Sequence, residues 1–242
     1  MRRSIISLLS TALLGSALAV ATPSTANAAY GVYDLYDIQA TDYHINTGSC
    51  RYIAVTARAA SVPQPLNEVT AQVDVWLGGS SIGSVSLTSG ADVTSLSGRY
   101  YFCPGLDAPG TYRLGPSNVS YEDTNYDDYD FVDQTTGVMK ALQSTSLKNF
   151  SVKKKGNKRT FKVKGTYFGA GFGSKYMSFP KGTKIQLQRQ TSSGSWKFVK
   201  TAKVGKHGVA TFVITSKKKA KYRAVDKGTV RSWPATSKTL SK

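Results

Sequence analysis

The chain has very few of the residues from which catalytic and metal sites are usually built. Its 242 residues include two histidines, His44 and His207, and two cysteines, Cys50 and Cys103. No His-Glu-x-x-His pair and no phosphate-cradling glycine loop occurs. Two cysteines with a single nearby histidine are too few ligands for a zinc site. The sequence therefore argues against an enzyme, although a carboxylate pair for glycoside cleavage stays open as a remote alternative.

Helical periodicity is missing as well. No long segment shows apolar residues at i, i+3, i+4 and i+7, and no run beyond residue 20 approaches the roughly 18 apolar residues of a membrane-spanning helix. Short alternating segments between Gly, Pro, Ser and Asn clusters dominate instead, which is typical of all-β sandwiches. We therefore predict an all-β chain with two sandwich domains in tandem.

The first 28 residues have the composition of a secretory signal peptide. Arg2 and Arg3 precede an apolar run over residues 5–20, and Ala26-Asn27-Ala28 fits the small-x-small cleavage pattern. An uncleaved anchor is the alternative, but the Ser, Thr and Gly residues within the run favour cleavage. The mature chain is predicted to begin at Ala29 and to be exported, either free or held non-covalently at the cell wall.

Charge divides the mature chain into two halves of opposite sign. Residues 29–138 hold 4 Lys and Arg against 13 Asp and Glu, a net charge of −9. Residues 139–242 hold 26 Lys and Arg against one acid, Asp226, a net charge of +25. This change predicts an acidic domain over 29–138, a linker over 139–146 and a basic domain over 147–242, with continuation of an edge strand as the alternative for the linker.

Alternation predicts five strands in the acidic half, at 50–57, 69–77, 81–87, 99–103 and 111–114. In an exported chain, Cys50 and Cys103 predict one disulfide, and a loop of about 54 residues gives it about 4 kcal/mol in the chain-entropy model. Two cysteine-bearing strands so spaced resemble the inter-sheet bridge of immunoglobulin-type sandwiches, but the tryptophan expected soon after the first cysteine is absent.

Carboxylates cluster in residues 121–133, where Asp123, Asn125 and Asp127 fall at positions 1, 3 and 5 of a calcium loop. The candidate calcium ligands are Asp123, Asp127, Asp128 and Asp130. Position 6 lacks the required glycine and position 12 is Gln134 rather than glutamate. Two other interpretations therefore stay open: a solvated acidic loop, or a segment that lies against the basic domain. No other cofactor is predicted.

Six alternating segments predict the strands of the basic half, at 146–152, 159–164, 184–188, 196–203, 209–214 and 221–225. The stretches KKKG at 153–156, TFKVKG at 160–165, PKGTKIQLQR at 180–189, WKFV at 196–199 and KYRA at 221–224 resemble the Ig-like repeats of exported actinobacterial proteins. The resemblance covers residues 146–230. It implies an Ig-like β-sandwich and a role as a spacer, adhesive module or surface stalk, and it implies nothing specific about activity.

Lysines of the basic half are predicted to form a surface that binds polyanions. The candidate residues are Lys162, Lys164, Lys184, Lys197, Lys200, Lys203 and Lys206. Such a surface attracts cell-wall polymer, acidic glycan, anionic lipid headgroups or nucleic acid, and its binding weakens with salt. The excess of lysine over arginine argues against bidentate recognition of bases or carboxylates. The alternative is that the charge only maintains solubility.

A glycine- and aromatic-rich stretch, residues 165–182, is predicted to be a long loop. Its aromatic residues are Tyr167, Phe168, Phe172, Tyr176 and Phe179. They are expected either to stack on bases or sugar rings, or to close the open end of the sandwich. The chain as a whole is predicted to be a non-catalytic secreted binding or structural protein, with a calcium-dependent adhesion module as the alternative.

Overall fold

The computed structural model describes residues 33–62, 66–90, 93–169 and 174–241, and most of these residues lie in β-strands. Within these ranges the only helical element is a single 3-10 turn, Lys206–Gly208. This confirms the predicted all-β class. The predicted signal peptide, residues 1–28, and the loop residue Phe172 lie outside the described residues.

The first half contains ten strands in a single sheet. They are β1 (Asp34–Leu35), β2 (Gln39–Ala40), β3 (Tyr43–Ile45), β4 (Arg51–Ser61), β5 (Leu66–Leu77), β6 (Ser80–Ser89), β7 (Ser95–Phe102), β8 (Gly110–Asp123), β9 (Asp128–Asp133) and β10 (Gly137–Gln143). The five predicted strands correspond to β4 through β8. The other five were not predicted.

This sheet closes on itself. The order runs β2-β4-β7-β6-β5-β8-β10, and β10 then pairs in parallel with β2. β8 is long enough to pair with two strands, because residues 110–114 pair with β10 and residues 117–122 pair with β9. In this half, the strands of the predicted sandwich therefore belong to one continuously hydrogen-bonded sheet rather than to two separate sheets.

The core of the first half follows the alternation of β5. Val69, Ala71, Val73 and Val75 are all fully buried, as predicted, while Leu77 is only partly buried. Burying a valine side chain contributes about 1.5 to 3 kcal/mol, so the three buried valines of this strand help to stabilise the first half.

The second half contains nine strands in two sheets. They are β11 (Thr145–Lys155), β12 (Lys158–Gly169), β13 (Lys175–Ser178), β14 (Lys184–Gln190), β15 (Trp196–Lys203), β16 (Val209–Thr215), β17 (Lys221–Asp226), β18 (Ala235–Thr236) and β19 (Leu240–Ser241). One sheet holds β11, β12, β13 and β16, and the other holds the remaining five strands. Phe161 and Phe212 of the first sheet pack with Leu187 and Tyr222 of the second in one buried cluster, which confirms a sandwich here.

The predicted linker over residues 139–146 does not exist as a linker. β10 continues to Gln143 and β11 begins at Thr145, so Ser144 alone separates the two strands. Met139 and Ala141 are fully buried in the first core. The segment is structured because its apolar residues alternate and because β10 closes the first sheet.

The predicted disulfide between Cys50 and Cys103 is present. Its position differs from the immunoglobulin pattern, because the two cysteines flank the end of the β4–β7 ladder, where Arg51 pairs with Phe102. The bond therefore joins neighbouring strands of one sheet, and the predicted likeness to a bridge between two sheets is wrong.

Removing this bond tests its contribution to stability. The double variant Cys50→Ser/Cys103→Ser is expected to lose about 4 kcal/mol of unfolding free energy, because the unfolded chain regains the entropy of an open loop. Urea unfolding of the oxidised wild type and the variant measures the difference. A loss below about 1 kcal/mol would show that the bond is not a main constraint on this half.

The two halves contact each other through the segment between β17 and β18. The Trp233 ring stacks on His44 of β3, with 4.2 Å between the ring centroids and 9° between the planes. Trp233 Nε1 donates to the Tyr43 carbonyl at 3.3 Å, and the Trp233 backbone N–H donates to the Gln143 carbonyl at 3.0 Å. In addition, Phe168 of β12 packs into the core of the first half. These contacts fix the junction without a linker.

The Trp233 contact predicts coupled unfolding of the two halves. Trp233→Ala should cost about 1 to 3 kcal/mol and split a single calorimetric transition into two, since it removes one ring stack and one hydrogen bond across the junction. Trp196→Ala is a matched control, because Trp196 is a half-buried tryptophan on β15 that stacks under Arg223 at 4.2 Å. Equal effects of the two variants would contradict a specific role at the junction.

Candidate polyanion-binding surface

The seven lysines predicted to share one surface do not share one. Lys162 and Lys164 lie on the outer face of β12, whereas Lys184 and Lys203 are paired on the other sheet. Lys200 turns toward β16, where its Nζ donates to the Val213 carbonyl at 3.2 Å. The remaining two are Lys197, which is exposed on β15, and Lys206 in the 3-10 turn. A bulge in β15 puts Lys197 and Lys200 opposite Arg189 and Leu187, which share one face of β14, whereas Lys203 lies opposite Lys184 on the other face.

A different set of lysines is brought together on β11 and β12. The register places Lys148 opposite Lys164, Ser151 opposite Lys162, Lys153 opposite Thr160 and Lys155 opposite Lys158. Paired residues point to the same face of a sheet. We call this outer face the lysine face. Its members are Lys148, Lys153, Lys155, Lys158, Lys162 and Lys164.

The loop between β16 and β17 adds charge at one end of the lysine face. Lys158 pairs with Thr215, and the Ser216 N–H donates to the Asn157 carbonyl at 2.8 Å. This places Lys217, Lys218 and Lys219 beside the turn that joins β11 to β12. The positive surface therefore continues around the end of the hairpin.

Carboxylates do not neutralise the lysine face from within the second half. The only acidic residue of 139–242 is Asp226, which lies on β17 in the other sheet and is 5% exposed. Like charges directly opposite each other on a sheet are destabilising. The face is therefore a positive surface that no carboxylate of residues 139–242 neutralises.

The aromatic residues predicted to form a stacking loop lie mostly in the protein interior. β12 and β13 form a hairpin in which Tyr167 pairs with Met177 and Phe168 pairs with Tyr176. Phe168 and Phe179 are 4% and 5% exposed, and Tyr167 is half-buried. Only Tyr176 is well exposed among those described, and Lys148 Nζ lies 5.5 Å from its ring centroid. The prediction of a long loop is wrong for Tyr167, Phe168 and Tyr176, which lie in paired strands, and Phe179 packs in the core of the sandwich, in line with the second alternative.

The four predicted calcium ligands do not converge on a site. Asp123 accepts hydrogen bonds from the backbone N–H groups of Asn125 and Asp127, at 2.7 and 3.1 Å, and so holds the β8–β9 turn. These hydrogen bonds, led by that of Asp127, hold the pKa of Asp123 below its ordinary value. Asp128 and Asp130 extend along β9 instead. Among the described residues no three His, Cys, Asp or Glu side chains form a group that could hold a metal.

Asp133, the last acid of this segment, has a structural position. It is 6% exposed, and its carboxylate accepts the backbone N–H of Leu35 at 2.8 Å and that of Thr135 at 2.7 Å. The acidic segment is therefore not simply a solvated loop, because its end attaches β1 to the sheet.

A serine motif and the two histidines offer no catalytic arrangement. Residues 79–83 match the spacing Gly-x-Ser-x-Gly, but they form the hairpin turn from β5 to β6, whereas a nucleophile elbow is a strand-to-helix turn. His44 is stacked on Trp233, and His207 lies in the 3-10 turn with φ of +59°.

A cavity of about 290 Å³ lies in the second half, at the place where it meets the end of β10. Its lining includes Gln143 of β10 together with Tyr167, Phe179, Asp226 and Arg231 of the second half. Burial raises the pKa of Asp226 above its ordinary value, and a backbone hydrogen bond from Gly228 opposes this shift. Ionisation of Asp226 therefore costs folding free energy.

The Asp226 carboxyl predicts a pH-dependent stability. Because its pKa is higher in the folded than in the unfolded state, stability falls as pH rises through the folded pKa. Asp226→Asn should raise the melting temperature at pH 7 and change it much less at about pH 3, below the ordinary aspartate pKa of about 3.9, where the carboxyl is largely protonated in both states. Thermal melts at the two pH values measure this. Equal stabilisation at both would contradict the burial penalty.

Comparison with known proteins leaves the family of this chain open. No family model matches it, and no curated protein matches it. Three solved structures illustrate the likenesses found. A tetra-tandem repeat from the extending region of a large adhesion protein is 16% identical, with a TM-score of 0.29, over 87% of this chain and 49% of that one. This chain therefore spans about half of that structure.

The second structure is a two-domain fibronectin type III segment of chicken tenascin, 13% identical with a TM-score of 0.34, over 86% of this chain and 99% of that one. The third is the D00-D0 domain of intimin, 11% identical with a TM-score of 0.28, over 87% and 98%. At these TM-scores the likenesses carry no argument about function. Separately, the described residues include no helix that is both long and apolar enough to cross a membrane.

Proposed function

We propose that the chain is a non-catalytic, exported binding protein whose second half associates with an extracellular polyanion through the lysine face. One observation carries the proposal. Six lysines project from one side of the β11–β12 hairpin, and the only carboxylate of 139–242 is buried in the opposite sheet. The alternative, that the charge only maintains solubility, requires no such concentration on one face.

The chemistry of the face favours charge-driven contact over reading of shape or sequence. Lysine is a strongly hydrated point charge, whereas arginine provides a planar fork for bidentate contacts. Each phosphate or similar charge that is neutralised releases counterions, so that binding falls steeply with salt. Buried Phe168 and Phe179 cannot stack on bases. A cell-wall polymer, an acidic glycan or nucleic acid all provide the required density of negative charge.

Neutralising the face tests the proposal. The variant Lys153→Gln/Lys158→Gln/Lys162→Gln/Lys164→Gln should elute from a heparin column at much lower salt than the wild type. The slope of log K against log salt should fall by about 3, at 0.7 to 0.9 for each lost contact. Fluorescence titration with a heparin oligosaccharide at several salt concentrations measures this slope.

A second variant separates local from net charge. Lys181→Gln/Lys184→Gln/Lys203→Gln/Lys221→Gln removes the same four charges from outside the lysine face. Its slope should fall by less than about 1. Equal losses in the two variants would reduce the proposal to a net-charge effect, and no retention of the wild type at 50 mM salt would end it.

A further inference from the structure

Two tyrosines lie side by side in solvent on the first half. Tyr52 of β4 and Tyr101 of β7 are direct cross-strand partners, and their rings are 5.0 Å apart between centroids and tilted by 46°. They are 66% and 55% exposed. Tyrosine combines a large apolar ring with a hydroxyl, which makes it frequent in binding surfaces. A cross-strand aromatic pair also stabilises a sheet, but that role alone does not explain the neighbouring residues.

An arginine and an alanine form the next pair on the same face. Arg99 lies opposite Ala54, two residues from Tyr101 and Tyr52 respectively. The small Ala54 side chain leaves open space beside the tyrosine rings. The Arg99 guanidinium makes no hydrogen bond or ion pair with the described part of the chain. An available cation therefore stands next to two exposed rings.

The rest of this face carries no acid on the paired positions of β4 and β7. Thr56 lies opposite Ser97, and Arg58 lies opposite Ser95. This is notable because residues 29–138 have a net charge of −9 and their four basic residues are all arginine. Residues 139–242 hold 22 lysines and four arginines, so the two stretches differ in their main cation. Arginine suits a single planar carboxylate, which it binds through two parallel hydrogen bonds.

We propose that Tyr52, Tyr101 and Arg99 form a binding site for a sugar ring that carries a carboxylate, such as a uronate unit of an acidic polysaccharide. The C–H face of the sugar packs on a tyrosine ring, and the tyrosine hydroxyls bond to its hydroxyl groups. The carboxylate meets Arg99 across the space above Ala54. The disulfide at the end of the same ladder, Cys50–Cys103, holds the two strands in register.

This site makes the proposed polyanion binding more specific, and it does not depend on the lysine face. The lysine face attracts any polyanion, whereas the tyrosine–arginine site selects a carboxylated sugar. The two surfaces lie on different halves of the chain, on β11–β12 and on β4–β7. Their failures are therefore distinguishable, because each surface can be altered while the other stays intact.

The test uses the full mature chain in the background of Lys153→Gln/Lys158→Gln/Lys162→Gln/Lys164→Gln, which removes much of the charge-driven binding. The probe is a hyaluronan hexasaccharide, in which glucuronate alternates with N-acetylglucosamine. Calorimetric titration should show saturable binding to this background. Tyr52→Ala, Tyr101→Ala and Arg99→Gln should each weaken it at least tenfold, and Arg99→Lys should weaken it about fivefold, since a bidentate contact becomes a point charge.

Matched controls make the result specific. Tyr126→Ala removes another tyrosine, 78% exposed, from the β8–β9 turn and should leave the affinity unchanged. Chitohexaose, a neutral sugar of the same length, should bind at least tenfold more weakly. Because Arg99 is bonded to nothing else in the described chain, its variants test the site even where a tyrosine variant loses stability.

Three outcomes would overturn the inference. They are no binding of the hexasaccharide to the background variant, equal binding of chitohexaose, and an equal loss in Tyr126→Ala. If one of these outcomes is found while the chain with an intact lysine face is still retained on heparin, the sugar site is wrong and the proposed function stands. Loss of heparin retention with intact hexasaccharide binding would do the reverse.

Discussion

The antiparallel pairing of β11 with β12 is the contact on which the charge distribution of the second half depends. Because alternate residues of β12 point inward, burying Phe161 and Val163 forces Lys158, Lys162 and Lys164 outward. The register then sets Lys148 and Lys155 opposite two of them. Opposed like charges cost less than about 1 kcal/mol each, whereas burying the core side chains contributes about 1.5 to 3 kcal/mol each. The fold therefore tolerates a surface that no residue of its own half neutralises.

The same strand links the two halves. β12 contributes Phe161 to the core of the sandwich and, seven residues later, Phe168 to the core of the closed sheet. With Ser144 alone between β10 and β11, and with Trp233 stacked on His44, the acidic and basic halves share a junction rather than a tether. Opposite charge thus marks two halves of one packed chain, not two modules on a flexible connection.

Sequence alone predicted what depends on local alternation and missed what depends on pairing between distant strands. The inward row Val69 to Val75 and the cysteine bond are confirmed. β10 was mistaken for a linker, because its burial requires β8 and β2 as partners. The disulfide pairing was correct but its place was not, because the register of β4 against β7 is invisible in the sequence.

The candidate site shows the same limit. The lysines at every third position of β15 are divided by the register: Lys197 and Lys200 share a face because of a bulge, and Lys203 lies on the other face. Of the seven predicted lysines, only Lys162 and Lys164 belong to the lysine face. Its other members become neighbours through the β11–β12 register. The aromatic residues near Gly169 were expected in a loop, but cross-strand pairing turns that stretch into a hairpin.

The most direct test of the account is lysine footprinting of the full mature chain with and without a saturating heparin oligosaccharide. Acetylation rates at each lysine, read by mass spectrometry, report which ammonium groups the polyanion covers. Binding at the lysine face predicts that Lys153, Lys158 and Lys162 are strongly protected from acetylation, whereas Lys184 and Lys203 react as in the free protein. Uniform protection of all five lysines would contradict a defined binding face.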